Sequence, residues 1–274
     1  DSQALIGRKT YTVELEQRVF PKVCTYCTAT TTTTTTMASK LSAAICQGQW
    51  DLCIAVAKSD PSSTATFACK PGSLVLGSHM FRGDMQGLAL HEAVTVGAPL
   101  AVIDGIARAY PEALTKRDIV MKRLPIHLAC NRERVDPKII SLLGKYYSQG
   151  LVEADKLGRV PLHYALQNKA KDATIKKMLQ LSPNAAKAQD KKCVVPLHVA
   201  CMTGASTDVG EMLLELNPNA SVMVTSAGRD ALFFCNECSA PNKLDISAML
   251  FRYRQQVDEQ FRWARKPSSR RLLV

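Results

Sequence analysis

Four of the five histidines, His91, His127, His163 and His198, fall 36, 36 and 35 residues apart, and imidazoles in so regular a series invite a metal-ligand reading. Zinc needs nitrogens ~2 Å from one ion, whereas equivalent positions in stacked helix pairs lie ~10 Å apart, so the four cannot share an ion. They are read instead as structural groups, each bonding loop backbone of its own unit or of the next. Cys24 with Cys27 and Cys235 with Cys238 have the spacing of zinc half-sites. Cys24 stands in a stretch without the histidine motif and Cys235 on an apolar helix face, so a shared site between the pairs is not expected. Cys130 and Cys201 each follow the Ala of that motif and read as packing residues, since a free Cys behaves as a small hydrophobe. No glycine-rich phosphate loop, pair of catalytic carboxylates or Ser, His and Asp constellation stands out. The chain therefore reads as non-enzymatic, with no metal, no cofactor and no small-molecule substrate.

The elements that carry the histidines are copies of one another. Leu90-His91-Glu92-Ala93, Pro125-Ile126-His127-Leu128-Ala129, Val160-Pro161-Leu162-His163-Tyr164-Ala165 and Pro196-Leu197-His198-Val199-Ala200 repeat at a nearly fixed step. Such a period marks a solenoid, in which each unit buries its apolar face only against its neighbours. Ser42 takes the histidine slot in a variant first unit, and Phe233 takes it in a degenerate last one. Each unit reads as helix, turn, helix, loop. Asp136, Asp172, Asp208 and Asp245 recur where the second helices need an N-cap acceptor, and Pro137 fits the first helical turn. Pro111, Pro183 and Pro218 read as stops, with Tyr147 in the slot of the unit that lacks the proline.

These signals divide the chain into a disordered, threonine-rich leader over 1–38, a repeat domain over 39–265 and a basic tail over 266–274. Within the domain the units lie near 39–61, 87–111, 123–150, 159–183, 194–218 and 229–265, with a long loop over 62–86. Beyond Asp245, Ile246, Met249, Leu250, Tyr253, Val257 and Phe261 keep helical spacing for longer than any other helix, as a terminal cap should. Phe233, Ile246, Met249 and Leu250 are expected to be buried beneath it.

Composition narrows the setting. The chain is 46% hydrophobic but only 6% aromatic, which suits small side chains packed between helices. Its net charge of +11 favours encounters with acidic partners. Ten scattered cysteines, several on apolar faces, suggest a reducing, intracellular compartment, cytoplasmic or nuclear, with organellar import by the leader left open. No apolar run reaches the ~18 residues of a membrane span.

The Pro-Leu-His-x-Ala motif, a following Gly, a second helix and an Asp-x-x-Gly turn together resemble the ankyrin repeat. Gly48, Gly97 and Gly204 stand six residues after the histidine slot, and Asp155, Gly158 and Asp190 stand where the family's β-turn begins. The period is longer than the usual ~33 residues, and Leu124, Val160 and Val195 replace the Thr that precedes the proline, so the family's Thr–His hydrogen bond cannot form. The resemblance implies an all-α, ankyrin-repeat-like solenoid of stacked helix-turn-helix units with loop or β-turn fingers, serving as a protein-protein interaction scaffold. The finger positions hold Lys122 and Arg123, Lys156 and Arg159, Lys191 and Lys192, and Arg229, a basic stripe suited to an acidic protein partner bound through fingers and concave face. The alternative is an electrostatic adaptor that places the fingers and the basic residues of the C-terminal helix, Arg252, Arg254 and Arg262 among them, on nucleic acid or anionic membrane.

Overall fold

The computed structural model describes residues 37–61, 63, 88–132 and 134–264. Residues 1–36 of the leader, most of the long loop and the tail lie outside the described residues, while Met37 and Ala38, the last two of the expected leader, open the helix Met37–Gln47. Six helix pairs follow one another: α1 (Met37–Gln47) with α2 (Trp50–Ser59), α3 (Ala89–Val96) with α4 (Leu100–Ala109), α5 (Pro125–Cys130) with α6 (Pro137–Tyr146), α7 (Pro161–Gln167) with α8 (Asp172–Leu181), α9 (Pro196–Thr203) with α10 (Thr207–Leu216), and α11 (Ala231–Glu237) with α12 (Lys243–Ala264). No β-strand occurs among the described residues. First helices stack in one layer and second helices in another, each touching its counterpart in the adjacent pair.

Local sequence explains each piece. Pro125, Pro161 and Pro196 occupy the first helical position, where a fixed φ helps and the missing N–H would be unpaired anyway. The preceding Leu124, Val160 and Val195 are extended, as residues before proline must be. Gly97 and Gly204 end α3 and α9 in left-handed conformation, which costs a residue without Cβ nothing. The second helices are amphipathic: Ile139, Ile140 and Leu143 in α6, and Val209, Leu213 and Leu214 in α10, repeat at helical spacing and are buried,. Small residues hold the first-helix layer together, with Ala93, Ala129, Ala165, Ala200 and Cys235 all at most 3% exposed.

Three details depart from the sequence reading. Pro111, Pro183 and Pro218 do not simply stop a helix. Each opens a short 3-10 helix, and in the remaining unit Ser148, not Tyr147, starts it. Asp136 caps α6 by accepting from the Lys138 N–H at 2.8 Å, but Asp172, Asp208 and Asp245 lie inside the first turns of α8, α10 and α12. Ser206 supplies the cap of α10; the three aspartates still face the positive dipole end, and Asp208 also pairs with Lys176 of α8 at 2.7 Å. Finally, Ile246, Met249 and Leu250 are buried on the inner face of the terminal helix, but Phe233 is 39% exposed. Its slot is the one that in the preceding units faces the next finger; here the Arg229 guanidinium lies over the ring, 4.8 Å from its centroid.

Candidate partner-binding surface

The histidines act as clamps between units. In α5, α7 and α9 the N-cap N–H of Leu124, Val160 and Val195 donates to Nδ1 of His127, His163 and His198 at 3.1, 3.3 and 3.3 Å. The ring thus accepts from its own unit, and the lost Thr is replaced by backbone. On the far side Nε2–H of His91, His127, His163 and His198 donates to the carbonyls of Lys116, Arg159, Val194 and Met223, at 3.0–3.2 Å. Each acceptor belongs to the finger segment of the following unit. Because a carbonyl can only accept, the proton sits on Nε2 and the ring is neutral. Burial drives His91 and His127 from the usual 6.5 down to about 4, and it lowers His163 and His198 too,. His91 alone of the four lacks a partner at Nδ1 among the described residues.

The finger that each histidine holds is built around one buried acceptor. Asp118 Oδ1 accepts from the N–H of Met121 and Arg123, Asp155 Oδ1 from Leu157 and Arg159, and Asp190 Oδ1 from Lys192 and Val194, all within 2.7–3.2 Å. Thr225 Oγ1 does the same for Arg229 at 3.2 Å. Consecutive fingers are then tied by a backbone bond: Lys156 N–H to Met121 O, Lys191 N–H to Leu157 O and Ser226 N–H to Lys192 O, at 2.8, 2.9 and 2.9 Å. The carboxylates are therefore turned inward, with Asp118, Asp155 and Asp190 at 0, 7 and 8% exposure.

The lysines are left outside. Lys122, Lys156, Lys191, Lys192 and Arg229 are all exposed, and Arg229 stacks on Phe233 at 4.8 Å. Two members of the sequence-derived stripe are placed differently. Arg123 is 4% exposed, its Nε donating to Asp118 Oδ2 at 2.9 Å, so it is an internal ion pair and not part of a docking surface. Its finger carries one residue more than the others, closing Asp118 N–H to Arg123 O where the rest close from Asp155 to Arg159 and from Asp190 to Val194, and the guanidinium folds back beneath it. Arg159 is half-buried, held by Gln167 Oε1 at 3.2 Å and lying 3.7 Å from Asp190 Oδ2, so it presents only part of its charge.

Between the fingers and the first helices of the fourth and fifth pairs lies a hollow of ≈180 Å³. Val199 and Met202 of α9, with Phe234 of α11 from the sixth pair, form its apolar side, while Arg159, Gln167, Lys192 and the Asp190 carboxylate line the polar side. Arg159 and Lys192 belong to the stripe read from the sequence, but Val199, Met202, Phe234 and Gln167 are not read as binding residues there. The signal was there: Val199 and Met202 stand one and four positions after His198, Gln167 stands four after His163, and those offsets share a helix face. A second hollow of ≈280 Å³ lies in the second-helix layer beside Arg108 and Tyr146. There the Tyr146 hydroxyl donates to Asp104 at 2.6 Å and accepts from Arg108 Nε at 3.1 Å, so its cation is already engaged.

Among the described residues no group of three or more His, Cys, Asp or Glu is placed to hold a metal ion. Cys24 and Cys27 lie outside the described residues. Cys235 is buried, and its Sγ lies 3.4 Å from both Lys243 O and Ser247 Oγ. Burial raises the thiols of Cys53, to about 11, and of Cys130 and Cys201, so all three stay protonated packing groups. No described helix is long and apolar enough to cross a membrane.

Repeated helix pairs, left-handed glycine caps, inter-unit histidines and a ladder of turn-closed fingers define an ankyrin-repeat solenoid. Among solved structures the chain is similar to the ankyrin repeat domain of Bcl-3, described as a unique member of the IkappaB protein family. The TM-score is 0.54 at 21% sequence identity, over 78% of this chain and 85% of that one, a likeness of fold. No protein-family model matches the sequence, and no curated protein does.

Proposed function

We propose that this chain is a non-enzymatic scaffold that binds an acidic protein partner along its fingers and the groove beneath them. The observation that carries this reading is the sorting of charge within each finger. The aspartates are consumed internally by backbone N–H groups, while Lys122, Lys156, Lys191, Lys192 and Arg229 stay exposed. Fingers joined by successive backbone bonds set these cations on neighbouring turns, at different positions of each turn, about one unit apart and near the ~8 Å Debye length at physiological salt,, so their fields overlap. Arg159 contributes the part of its charge that Asp190 leaves open.

The alternative, nucleic acid or anionic membrane, draws on the terminal helix, and there two of the arginines are already engaged. Arg252 pairs with Glu211 at 2.8 Å and Arg254 with Asp230 at 3.1 Å, which supports the protein partner instead. Buried free thiols in Cys53, Cys130 and Cys201 are in keeping with a reducing cytoplasmic or nuclear setting.

The test compares the full chain with its Lys191→Glu, Lys192→Glu double variant. Rim charges act on encounter, so the association rate with the captured partner should fall at least about tenfold at low salt, with thermal unfolding unchanged. Equal rates would remove the fingers from the interface. A steep salt-dependent affinity for duplex DNA in place of a protein would establish the alternative.

A further inference from the structure

We infer that the hollow between the fourth and fifth helix pairs is the anchor point of this surface, built to take one bulky apolar side chain from a partner segment whose flanking residues are acidic. The inference rests on the scaffold reading above and adds the chemistry of the bound segment. Three features carry it. The hollow of ≈180 Å³ is of the size that holds a benzene ring, for which ~150 Å³ suffices, so it accommodates a Phe, Leu or Met side chain and little more. Its apolar side is open to contact, because Met202 is 50% exposed and Phe234 is only half-buried, and the apolar contact area of such a residue is regained when a partner covers it. Its finger side is net cationic: Lys192 is exposed, Arg159 is held in place by Gln167 and by the Tyr164 ring, 5.9 Å from the guanidinium carbon, and the one carboxylate there, Asp190, is taken up by backbone N–H groups and by Arg159.

An apolar floor beneath a cationic wall selects for both features at once. A purely acidic segment would leave Met202 wet, and a purely apolar one would leave the Lys192 ammonium to be desolvated without an acidic partner. A second copy of this chain fits poorly, since two molecules of net charge +11 repel one another. Nucleic acid would meet the cations, but half-buried Phe234 is the one Phe, Tyr or Trp ring that lines the hollow, where single-strand binders stack successive bases on several such rings.

Fluorescein-labelled peptides test this against the full chain by anisotropy: Gly-Asp-Glu-Phe-Glu-Asp-Gly, the same peptide with Ser for Phe, and a counterpart with Lys for every acidic residue. The Phe peptide should bind roughly tenfold or more tightly than the Ser peptide, the worth of burying one aromatic side chain, and the Lys peptide should not bind. Met202→Trp fills the hollow without changing charge, and Met202→Glu places a like charge in it; both should bring the Phe peptide down to the Ser peptide. Lys192→Glu should weaken both acidic peptides together. Met202 is half exposed, so unchanged melting of its variants checks that the fold is intact. Equal binding of Phe and Ser peptides to the wild-type chain, or a Phe preference that survives both Met202 variants, overturns the anchor and leaves the scaffold reading standing. Failure of both acidic peptides to bind overturns the two together, as does preference for the Lys peptide, for duplex DNA or for phosphatidylserine vesicles.

Discussion

A buried neutral imidazole that donates to the next unit takes up a proton only at the cost of charging a desolvated site, and His127, His163 and His198 would also lose the bond that Nδ1 accepts from their own helix cap,. That gives the fold a pH dependence of definite sign. His91 and His127 titrate near 6.5 when unfolded and near 4 when folded, so between those values the unfolded chain binds protons that the native one does not. The stability they contribute is complete above pH 6.5 and is lost as pH falls toward 4, at most about 3 kcal/mol each. His163 and His198 add to it in the same direction. The melting temperature should therefore decline within this window, before most carboxylates protonate; a level profile would contradict it. His163→Ala removes both bonds of a buried clamp and should destabilise by about 1–3 kcal/mol in chemical denaturation, with no metal-linked change. A sharper contrast lies in one finger. Arg123→Ala leaves Asp118 buried without its cation and should cost about 3–5 kcal/mol, whereas Lys122→Ala next to it should stay within about 0.5 kcal/mol. Sequence alone made these two neighbours equals, since burial of Arg123 follows from a single extra residue that no spacing rule flagged.

Each finger needs a left-handed residue to close. Gly158 and Gly228 supply it at φ 81 and 70, while Lys122 and Cys193 adopt it at φ 56 and 58 without being glycine. The two glycines differ in what surrounds them. A Cβ on Gly158 would meet the Lys191 backbone nitrogen at 2.9 Å, the same nitrogen that bonds Leu157 O, but a Cβ on Gly228 would meet nothing within 4 Å. Gly228→Ala should thus cost only the backbone conformation, about 1–2 kcal/mol, and Gly158→Ala distinctly more, with loss of hydrogen-exchange protection at the Lys191 amide. Equal costs would mean that the ladder between fingers bears little load. The turn itself was legible, because Asp155 and Gly158 stand three apart as an Asp-closed turn requires. The 3-10 helices were not: Pro111, Pro183 and Pro218 satisfy a stop signal and a start signal alike, and only the chain path after Tyr110, Ser182 and Asn217 separates them. Asp172 and Asp208 were misplaced by one or two positions for a related reason, since Asp favours both the cap and the first turn.

Taken end to end, the molecule is a line of units with two unlike ends. The period of the histidines revealed the stack because each unit solves the same packing problem with the same residues, so the fold was the most readable property of the chain. The hollow was the least readable, being assembled from Gln167 and Met202 of one layer and Lys192 of a finger that only the superposition of units brings together. At the far end, α12 lays Ile246, Met249, Leu250 and Val257 over the last pairs. Truncation after Pro218 strips that cover from the buried faces of α9 and α10 and should yield an aggregating product by light scattering; a well-behaved monomer would make α12 an appendage. Phe233→Ser, by contrast, should be tolerated, because the ring is already 39% exposed.

The direction of the histidine bond also bears on how the chain comes off a ribosome. Every Nε2–H reaches forward, never back, so His127 finds its acceptor only once Arg159, 32 residues later, has been made, and His163 waits 31 residues for Val194. Synthesis runs at ~5–20 residues per second, so each nascent unit spends seconds with its clamp unlatched. The growing stack closes one unit behind the point of synthesis, and the unit that carries Phe233 in the histidine slot has no forward clamp of this kind to wait for.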